Sequence, residues 1–478
     1  MSTKKELREK IDKWFDAHCD DMINDLGKLV GIKSVRGEKK PGAPYGKNSR
    51  DVLTLAQSML QERDLNVSVF EDMMITADYG PTPPLLGILA HLDIVEAGEG
   101  WDTDPLKLAV KDGKIYGRGV MDNKGPAVAA MYALYCARDI CPQFKHGVQI
   151  LLGSGEETGF DDITEYLKKN DPPPNVFTPD AEFPVVNVEK GRFMPVFGAK
   201  WEKDTNLPRV ISITGGKTPN IVPEQTEAVI EGFTLKDVEA FCSEYTNKTG
   251  VALTVASNDN ILTITAKGTA AHASMPERGK NAQTAMIEML AAMPFAKSKG
   301  YEYICALNRL FPHGDCHGAA IGIDASDEKS GRMTVNFGVI RLSELEFSGN
   351  FDSRTPICAD EIDIVEKTRT ALEHESIKMT YHDIKKSHCT QEETPFVHSL
   401  LSIYEEYTGK PGKCISMGGL TYAHDIPGGV AFGCVMPDED NRAHGSNEFI
   451  SIDQFIMSAK MFTLAIINMC TDMAHYDM

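Results

Sequence analysis

Two apolar segments with a helical segment between them constrain the fold of this chain most strongly. The segments PLLGILAHLD (84–93) and VQILLGSGEE (148–157) have the length and near-continuous apolar character of strands buried on both faces. The alanine-rich segment DNKGPAVAAMYALYCAR (122–138) between them is typical of a helix. A strand, a helix and a second strand in this order predict a parallel βαβ unit and therefore an α/β fold.

The same strand pattern returns once before and once after a long interruption. VFTPDAE (176–182) and GGVAFGCVMP (428–437) resemble the first two strands, whereas the residues between them alternate between strand and helix patterns in another rhythm. A chain of 478 residues also exceeds the size of a single core. We therefore expect a mostly parallel sheet flanked by helices, formed by residues 1–187 and 383–478 and interrupted by an inserted α+β domain at 188–382.

Histidines and carboxylates stand where the predicted strands end, which indicates a metal site. The ends of parallel strands meet at one edge of a sheet, where imidazole and carboxylate ligands can converge. The candidates are His91, Asp122, Glu156, Glu157, Asp180 and His444. One catalytic zinc usually has three protein ligands, and there are more candidates than that. Two metals that share one carboxylate would explain the number of candidates. Asp122, at a helix start midway along the series, is the candidate shared ligand.

Two further acids have assignable roles beside this site. Asp93 follows His91 by two residues, lies on the same side of an extended segment, and can orient the imidazole. Glu156 and Glu157 would repel each other at a buried turn without a cation, so one can bind metal while its neighbour acts as general base. A structural histidine and two solvated acids are the alternative interpretation, against which the coincidence of acids at several strand ends counts.

Composition excludes several classes of partner. There are 49 basic and 69 acidic residues, a formal net charge of −20, so the chain lacks the basic stripe that nucleic acid binding needs. The eleven cysteines form no C-x-x-C pair, which predicts reduced cysteines in a cytoplasmic protein. The N-terminal segment carries charges throughout and predicts an amphipathic helix, with no signal peptide or membrane span.

Six motifs in one order resemble the co-catalytic zinc metallopeptidase family of aminoacylases, desuccinylases, carboxypeptidases and dipeptidases. They are HLD (91–93), GRGVMDNKG (117–125), GSGEETG (153–159), TPDAEFPVVNVEKG (178–191), HASMPERGKNA (272–282) and H-x-x-N-E (444–448). The resemblance implies two Zn²⁺ per chain, for which Mn²⁺ or Co²⁺ could substitute, because the same ligands suit all three metals. It implies that one zinc is held by His91, Asp122 and Asp180, and the other by Asp122, Glu157 and His444. Glu156 would be the general base.

The resemblance also assigns roles inside the insert. The group most similar is the bacterial dipeptidase V group, in which a doubled lid domain replaces a partner's domain, so we expect a monomer. His272 resembles the histidine that donates to the oxyanion, which can contribute about 3 to 4 kcal/mol. Asn220 and Arg354 resemble residues that bind the substrate carboxylate, and the glycine loop with Gly418 and Gly419 would complete the pocket. His424 stands where that group is expected to have arginine.

These inferences predict a metal-dependent dipeptidase. It would hydrolyse the peptide bond of short unblocked dipeptides through a metal-bound hydroxide. The alternative within the same chemistry is an N-acyl amino acid deacylase or desuccinylase. A third hypothesis, a binding protein that retained the fold without catalysis, is disfavoured because a pure metal scaffold needs no unliganded base at Glu156.

Overall fold

The computed structural model describes residues 4–472. Within this range, the α-helices are α1 (Lys4–Val30), α2 (Lys47–Gln61), α3 (Lys124–Ile140), α4 (Asp161–Leu167), α5 (Leu235–Thr249), α6 (Ala282–Ala292), α7 (Lys299–Leu310), α8 (Ile364–His374), α9 (Pro395–Thr408) and α10 (Ile452–Cys470). None of the helices in the described range is long and apolar enough to cross a membrane.

Over the same residues, the strands are β1 (Asn66–Phe70), β2 (Met74–Tyr79), β3 (Pro84–His91), β4 (Ala109–Lys111), β5 (Lys114–Tyr116), β6 (Gly147–Gly153), β7 (Asn175–Thr178), β8 (Ala181–Glu182), β9 (Val185–Glu189), β10 (Gly191–Lys200), β11 (Arg209–Gly215), β12 (Gln225–Glu231), β13 (Ala252–Asn258), β14 (Ile261–Lys267), β15 (Ser326–Asp327), β16 (Gly331–Arg332), β17 (Thr334–Leu342), β18 (Glu346–Thr355), β19 (Lys378–Lys385), β20 (His388–Cys389), β21 (Cys414–Met417), β22 (Val430–Ala431), β23 (Cys434–Val435) and β24 (Phe449–Ser451).

The chain forms two compact units. The first contains the residues up to Val188, the segment Cys389–Ile415 and the residues from Leu420 onward. The second contains Glu189–His388 and the short segment Ser416–Gly419. Assigning the first unit as a catalytic domain and the second as a doubled lid stays a prediction.

Parallel strands form the centre of the sheet in the first unit. Strands β6, β3, β7 and β22 are neighbours in that order and run parallel. Antiparallel neighbours extend the sheet, with β2 and then β1 beyond β6, and β9 beside β22. The predicted strand that ends at His91 is β3, and it is central in this sheet.

Apolar side chains cover both faces of this sheet. Leu86, Ile88 and Ala90 of β3 belong to one core cluster, which also contains residues of α1, α3, α9 and α10. Leu89, which points to the opposite face because strand residues alternate, belongs to a second cluster with residues of α4. Burial on both faces explains why β3 and β6 have near-continuous apolar sequences.

The second unit has an antiparallel sheet with strand order β13-β14-β12-β11-β17-β18-β10-β19. Its core combines apolar residues of these strands with buried residues of α5, α6, α7 and α8. Helices packed with an antiparallel sheet form an α+β arrangement, as the alternating sequence patterns predict.

Truncation of Phe432 should destabilise the first unit. Phe432 is fully buried, and its ring centroid lies 5.0 Å from that of Phe183, 5.7 Å from that of Phe177 and 6.0 Å from that of Phe462. We expect Phe432→Ala to lower the free energy of unfolding by about 3–5 kcal/mol, measured by chemical denaturation. Val110→Ala is the control, because Val110 is 52% exposed. Equal stability of the two variants would contradict the role of this aromatic cluster.

Candidate functional site

The ends of three adjacent parallel strands carry three of the predicted metal ligands, His91, Glu157 and Asp180. His91 is the last residue of β3, and its register partner on β6 is Gly153. Glu156 and Glu157 begin the short 3-10 turn that follows β6, and Asp180 lies two residues beyond the end of β7. These strands lie in the order β6, β3, β7, so their carboxyl ends bring the side chains to one edge of the sheet.

A first group of possible metal ligands consists of His91, Asp122 and Asp180. The Nε2 atom of His91 lies 3.0 Å from Asp122 Oδ1 and 3.5 Å from Asp180 Oδ2. This nitrogen is buried, yet it makes no aligned hydrogen bond to any residue within 4–472. A cation between the imidazole and the two carboxylates would satisfy all three groups.

A second group consists of Asp122, Glu157 and His444. The Nε2 atom of His444 lies 2.9 Å from Asp122 Oδ2 and 3.1 Å from Glu157 Oε2. Asp122 therefore directs one carboxylate oxygen toward each histidine, which is the geometry that a shared ligand needs. The two histidines differ in exposure, since the side chain of His91 is fully buried and that of His444 is 56% exposed.

The electrostatics of metal-free protein indicate that this donor set suits cations. Hydrogen bonds to Asp122 and Glu157 raise the pKa of His444 to about 11. Burial lowers the pKa of His91, but the Asp180 and Asp122 carboxylates outweigh it and raise this pKa well above its usual value. Burial and the Asp122 carboxylate raise the pKa of Glu157 to about 7. Protons thus neutralise the concentrated negative charge that divalent cations would neutralise, and the residues fit a metal pair.

Asp93 and Glu156 lie beside the two ligand groups but belong to neither. The Nδ1 atom of His91 lies 3.1 Å from the Asp93 carbonyl oxygen and 3.3 Å from its carboxylate Oδ1. The Asp93 carboxylate also accepts hydrogen bonds from the backbone N–H groups of Glu156 and Glu157. Burial raises the pKa of Glu156 well above its usual value. Asp93 therefore links the histidine to the glutamate turn, a contact that the spacing of the sequence did not predict.

Two buried residues that sequence reasoning missed support Asp122. The Glu448 Oε1 atom accepts hydrogen bonds from the backbone N–H groups of Gly119, Met121 and Asp122, at 3.0, 2.9 and 3.1 Å. Its other oxygen lies 2.5 Å from Arg118 Nη1, and both side chains are buried. The motifs GRGVMDNKG and H-x-x-N-E contain both residues, but only their pairing in space shows that they act together.

Asn123 is a third missed residue, and it supports Asp180. Its Nδ2 atom donates hydrogen bonds to Asp180 Oδ1 at 2.8 Å and to the Pro179 carbonyl oxygen at 3.2 Å. Its Oδ1 accepts a hydrogen bond from the His91 backbone N–H at 3.4 Å. The fully buried Asn123 thus connects residues from two strand ends of the first ligand group.

The predicted substrate-binding residues of the insert lie in the second unit. Ile221 and His272 pair across an isolated antiparallel bridge, and the Ala273 N–H donates to the Asn220 carbonyl oxygen at 2.9 Å. The His272 Nδ1 atom lies 2.7 Å from the Ser274 hydroxyl. The structure therefore brings Asn220 and His272, distant in sequence, into adjacent backbone segments.

Arg354 is already engaged within the second unit. Its Nε and Nη2 atoms donate to the two carboxylate oxygens of Asp352 at 2.7 and 3.1 Å, and its Nη1 donates to the Gly418 carbonyl oxygen at 2.7 Å. The fork that the sequence prediction assigned to a substrate carboxylate is thus occupied by Asp352. Gly418 packs against Ser274, since a Cβ there would lie 2.6 Å from Ser274 Cβ, and Gly419 follows in the same loop. His424 lies in the first unit, where it is buried.

Comparisons with known proteins agree with this picture. Residues 87–468 match the model of peptidase family M20/M25/M40. The chain is 30% identical over 452 residues to the putative dipeptidase YtjP of Bacillus subtilis (strain 168), covering 94% of this chain and 96% of that protein. It is also 30% identical over 465 residues to the Beta-Ala-Xaa dipeptidase of Lactobacillus delbrueckii subsp. lactis, covering 96% and 97%.

A solved structure supports the fold. Human carnosine dipeptidase 1 matches with a TM-score of 0.57 and 16% identity, over 97% of this chain and 98% of that chain. The predicted fold class, an α/β domain with a mostly parallel sheet that is interrupted by an inserted α+β domain, is confirmed.

Removing the negative charge of Glu448 should weaken metal binding. In Glu448→Gln, an NH₂ group replaces one of the two carboxylate oxygens. The side chain can then no longer accept hydrogen bonds both from the amides around Asp122 and from Arg118, so Asp122 is held less firmly. We expect metal affinity to fall by about 10–100-fold, measured by competition with a chelator. Glu439→Gln is the matched control, because Glu439 is exposed in the same part of the chain. Unchanged affinity in Glu448→Gln would contradict the supporting role.

Metal binding should release protons. In metal-free protein the pKa of about 11 keeps His444 protonated near neutral pH, and the pKa of His91 is raised as well, whereas metal ligation requires neutral imidazoles. Affinity is therefore expected to increase as pH rises from about 6 to 8. Calorimetric titration in buffers of different ionisation enthalpy measures the protons released. A titration that shows no buffer dependence would refute this expectation.

Proposed function

Because the chain belongs to peptidase family M20/M25/M40, we propose that it is a two-metal dipeptidase that hydrolyses short unblocked dipeptides. The observation that carries this proposal is the pair of ligand groups that share Asp122, with the half-buried Glu156 beside them and outside both. The names of the relatives, which include dipeptidases, support the substrate class. The family consists of metallohydrolases. That the substrates of this chain are dipeptides is our proposal.

We propose two zinc ions as the metals, held by the two groups described above. Nitrogen and oxygen donors also suit manganese and cobalt, which could substitute. Bound cations would supply Lewis acidity, which lowers the pKa of a coordinated water and polarises the scissile carbonyl. The remaining chemistry falls to side chains of the protein.

Glu156 is the proposed general base. Burial raises the pKa of the Glu156 carboxyl well above its usual value, and a raised pKa strengthens a carboxylate as a proton acceptor. In the proposed reaction, the Glu156 carboxylate accepts a proton from the attacking water and later transfers it to the leaving amine. Asp93 keeps the Glu156 backbone in place through its hydrogen bonds to the turn.

Residues of the second unit have proposed roles toward the substrate. We propose that His272 donates to the oxyanion and that Asn220 binds the dipeptide carboxylate. Because Asp352 occupies the fork of Arg354, we propose that Arg354 contributes its remaining N–H groups and its charge. The loop with Gly418 and Gly419, which Arg354 binds, would complete the pocket. We further propose that the protein is a monomer in the cytoplasm.

A substrate panel tests this function. Purified protein is assayed with α-dipeptides, β-alanyl dipeptides, N-acetyl and N-succinyl amino acids and longer peptides, each with and without a chelator. We expect hydrolysis of unblocked dipeptides that chelation abolishes and that added Zn²⁺, Mn²⁺ or Co²⁺ restores. Glu156→Gln should lower kcat by about 10²–10⁴-fold with metal content unchanged. Glu165→Gln, which alters an exposed glutamate of α4, is the matched control.

Other outcomes of the panel separate the hypotheses. Preference for N-acyl substrates would favour the deacylase or desuccinylase alternative. Hydrolysis that persists after complete metal removal would refute the metal-dependent mechanism. Full activity of Glu156→Gln would remove the assignment of the general base.

A further inference from the structure

Strand β17 carries two buried polar residues beside the segments of Asn220 and His272. Thr334 and Asn336 are two residues apart, so their side chains lie on one face of the strand. They are only 5% and 2% exposed. Buried polar side chains need hydrogen-bond partners, and the partners of these two residues show what they hold.

Asn336 holds the segment of Asn220. Its Nδ2 atom donates to the carbonyl oxygens of Pro219 and Ile221, at 2.8 and 3.0 Å, which flank Asn220 on both sides. The side-chain NH₂ of Asn336 has two hydrogens, so it can donate to both carbonyl oxygens at once. The Asn336 Oδ1 atom accepts a hydrogen bond from Asn281 Nδ2 at 3.2 Å, so the amide is satisfied at both ends.

Thr334 holds the segment of His272. Its hydroxyl donates to the carbonyl oxygen of Ala273, the residue after His272, at 3.0 Å. The Ala273 N–H in turn donates to the Asn220 carbonyl oxygen. The segments of Asn220 and His272 are therefore hydrogen-bonded to each other. Thr334 and Asn336 also hydrogen-bond them to one face of β17.

The register of the sheet places Arg354 on the same face. Thr334 pairs with Arg354 and Asn336 pairs with Asp352 across the antiparallel strands β17 and β18. Directly opposite residues of an antiparallel pair share a face. Arg354 and its carboxylate partner thus stand across from the two residues that hold the Asn220 and His272 segments.

Gly338 permits this close approach of the Asn220 segment to β17. A Cβ atom at Gly338 would lie 2.5 Å from the Pro219 carbonyl oxygen and 2.6 Å from Pro219 Cα. Only glycine leaves room for the backbone that Asn336 binds.

We propose that Thr334 and Asn336 are positioning residues that fix Asn220 and His272 relative to Arg354. The inference rests on the proposed function for the roles of those three residues, but the positioning itself follows from the contacts of β17. Asn220 and His272 are themselves exposed, and the backbone segments that carry them are bound by Asn336 and Thr334. Misplacement of a substrate group by about 1 Å can lower the rate about 10²-fold. Residues that hold Asn220 and His272 without contacting the substrate can therefore affect turnover.

The test compares three variants with a matched control. Asn336→Ala removes the donor to the Asn220 segment, Thr334→Val removes the hydroxyl with little change of shape, and Thr334→Ser retains it. Thr226→Val is the control. Thr226 is a buried threonine of β12 in the same sheet, and its hydroxyl has no hydrogen-bond partner among the residues that the structure describes.

Two readouts are measured. The first is kcat/KM for a good dipeptide and for the same dipeptide with a C-terminal amide, because Asn220 and Arg354 are proposed to bind the carboxylate. We expect Asn336→Ala to lower kcat/KM for the dipeptide at least about tenfold, to lower the ratio between the two substrates, and to change both kcat and KM. Thr334→Val should lower kcat, whereas Thr334→Ser and Thr226→Val should resemble the wild type.

The second readout is amide hydrogen exchange of the substrate-free protein. Exchange should become faster in residues 218–222 and 271–275 of Asn336→Ala and Thr334→Val, and stay unchanged in Thr226→Val. This readout does not depend on the substrate, so a wild type that hydrolyses no dipeptide refutes the proposed function without deciding the positioning role.

Two results would overturn the positioning role. One is unchanged exchange in both segments. The other is an active Asn336→Ala whose ratio between dipeptide and amide equals that of the wild type. If Asn336→Ala does not fold, Thr334→Val and Thr334→Ser decide the question, because equal kcat and exchange in these two variants would likewise overturn the proposal.

Discussion

The rest of the candidate site depends on one shared carboxylate. Asp122 directs one carboxylate oxygen to His91 and the other to His444, so the two ligand groups share this residue. Concentrating carboxylates at a sheet edge is unfavourable without positive charge nearby. The surrounding polar groups support Asp122. Glu448 accepts a hydrogen bond from the Asp122 backbone N–H, and the buried Arg118 balances the charge of Glu448.

Different kinds of structure hold the two halves of this site. His91 ends a central strand that is buried on both faces, and Asn123 ties its backbone to the Asp180 carboxylate. His444 lies in a segment without regular secondary structure, has a positive φ of 62° and is largely exposed. The supports for this loop come from Arg118, which contacts both Glu448 and the Gly445 carbonyl oxygen. A rigid strand thus defines one half, and a buried ion pair anchors the loop that defines the other.

The sequence predicted the parts of the fold whose patterns are local. The apolar strands β3 and β6 and the helix α3 follow from composition and periodicity, whereas the motif around Asp122 is identified by its position at a strand end and by the family resemblance. The burial of Asp352 and Arg354 in β18 is not apparent from the sequence, because charged residues are mostly exposed. Their burial depends on a partner in the same short segment and on Gly418, far along the chain. The supporting residues of the site were missed for the same reason, because long-range hydrogen bonds leave no periodic signal.

The pairing of β17 with β18 contains an irregularity directly after the polar face. The register shifts between Phe337 and Val339, next to Gly338. Side chains alternate along a strand, so one residue added or removed between Thr334 and Asn336 would turn one of them to the opposite face. Beyond the bulge, the strand can change in length while its first half keeps its register. A change in the length of this hairpin is therefore expected to be tolerated at its far end, where it leaves the polar face in place.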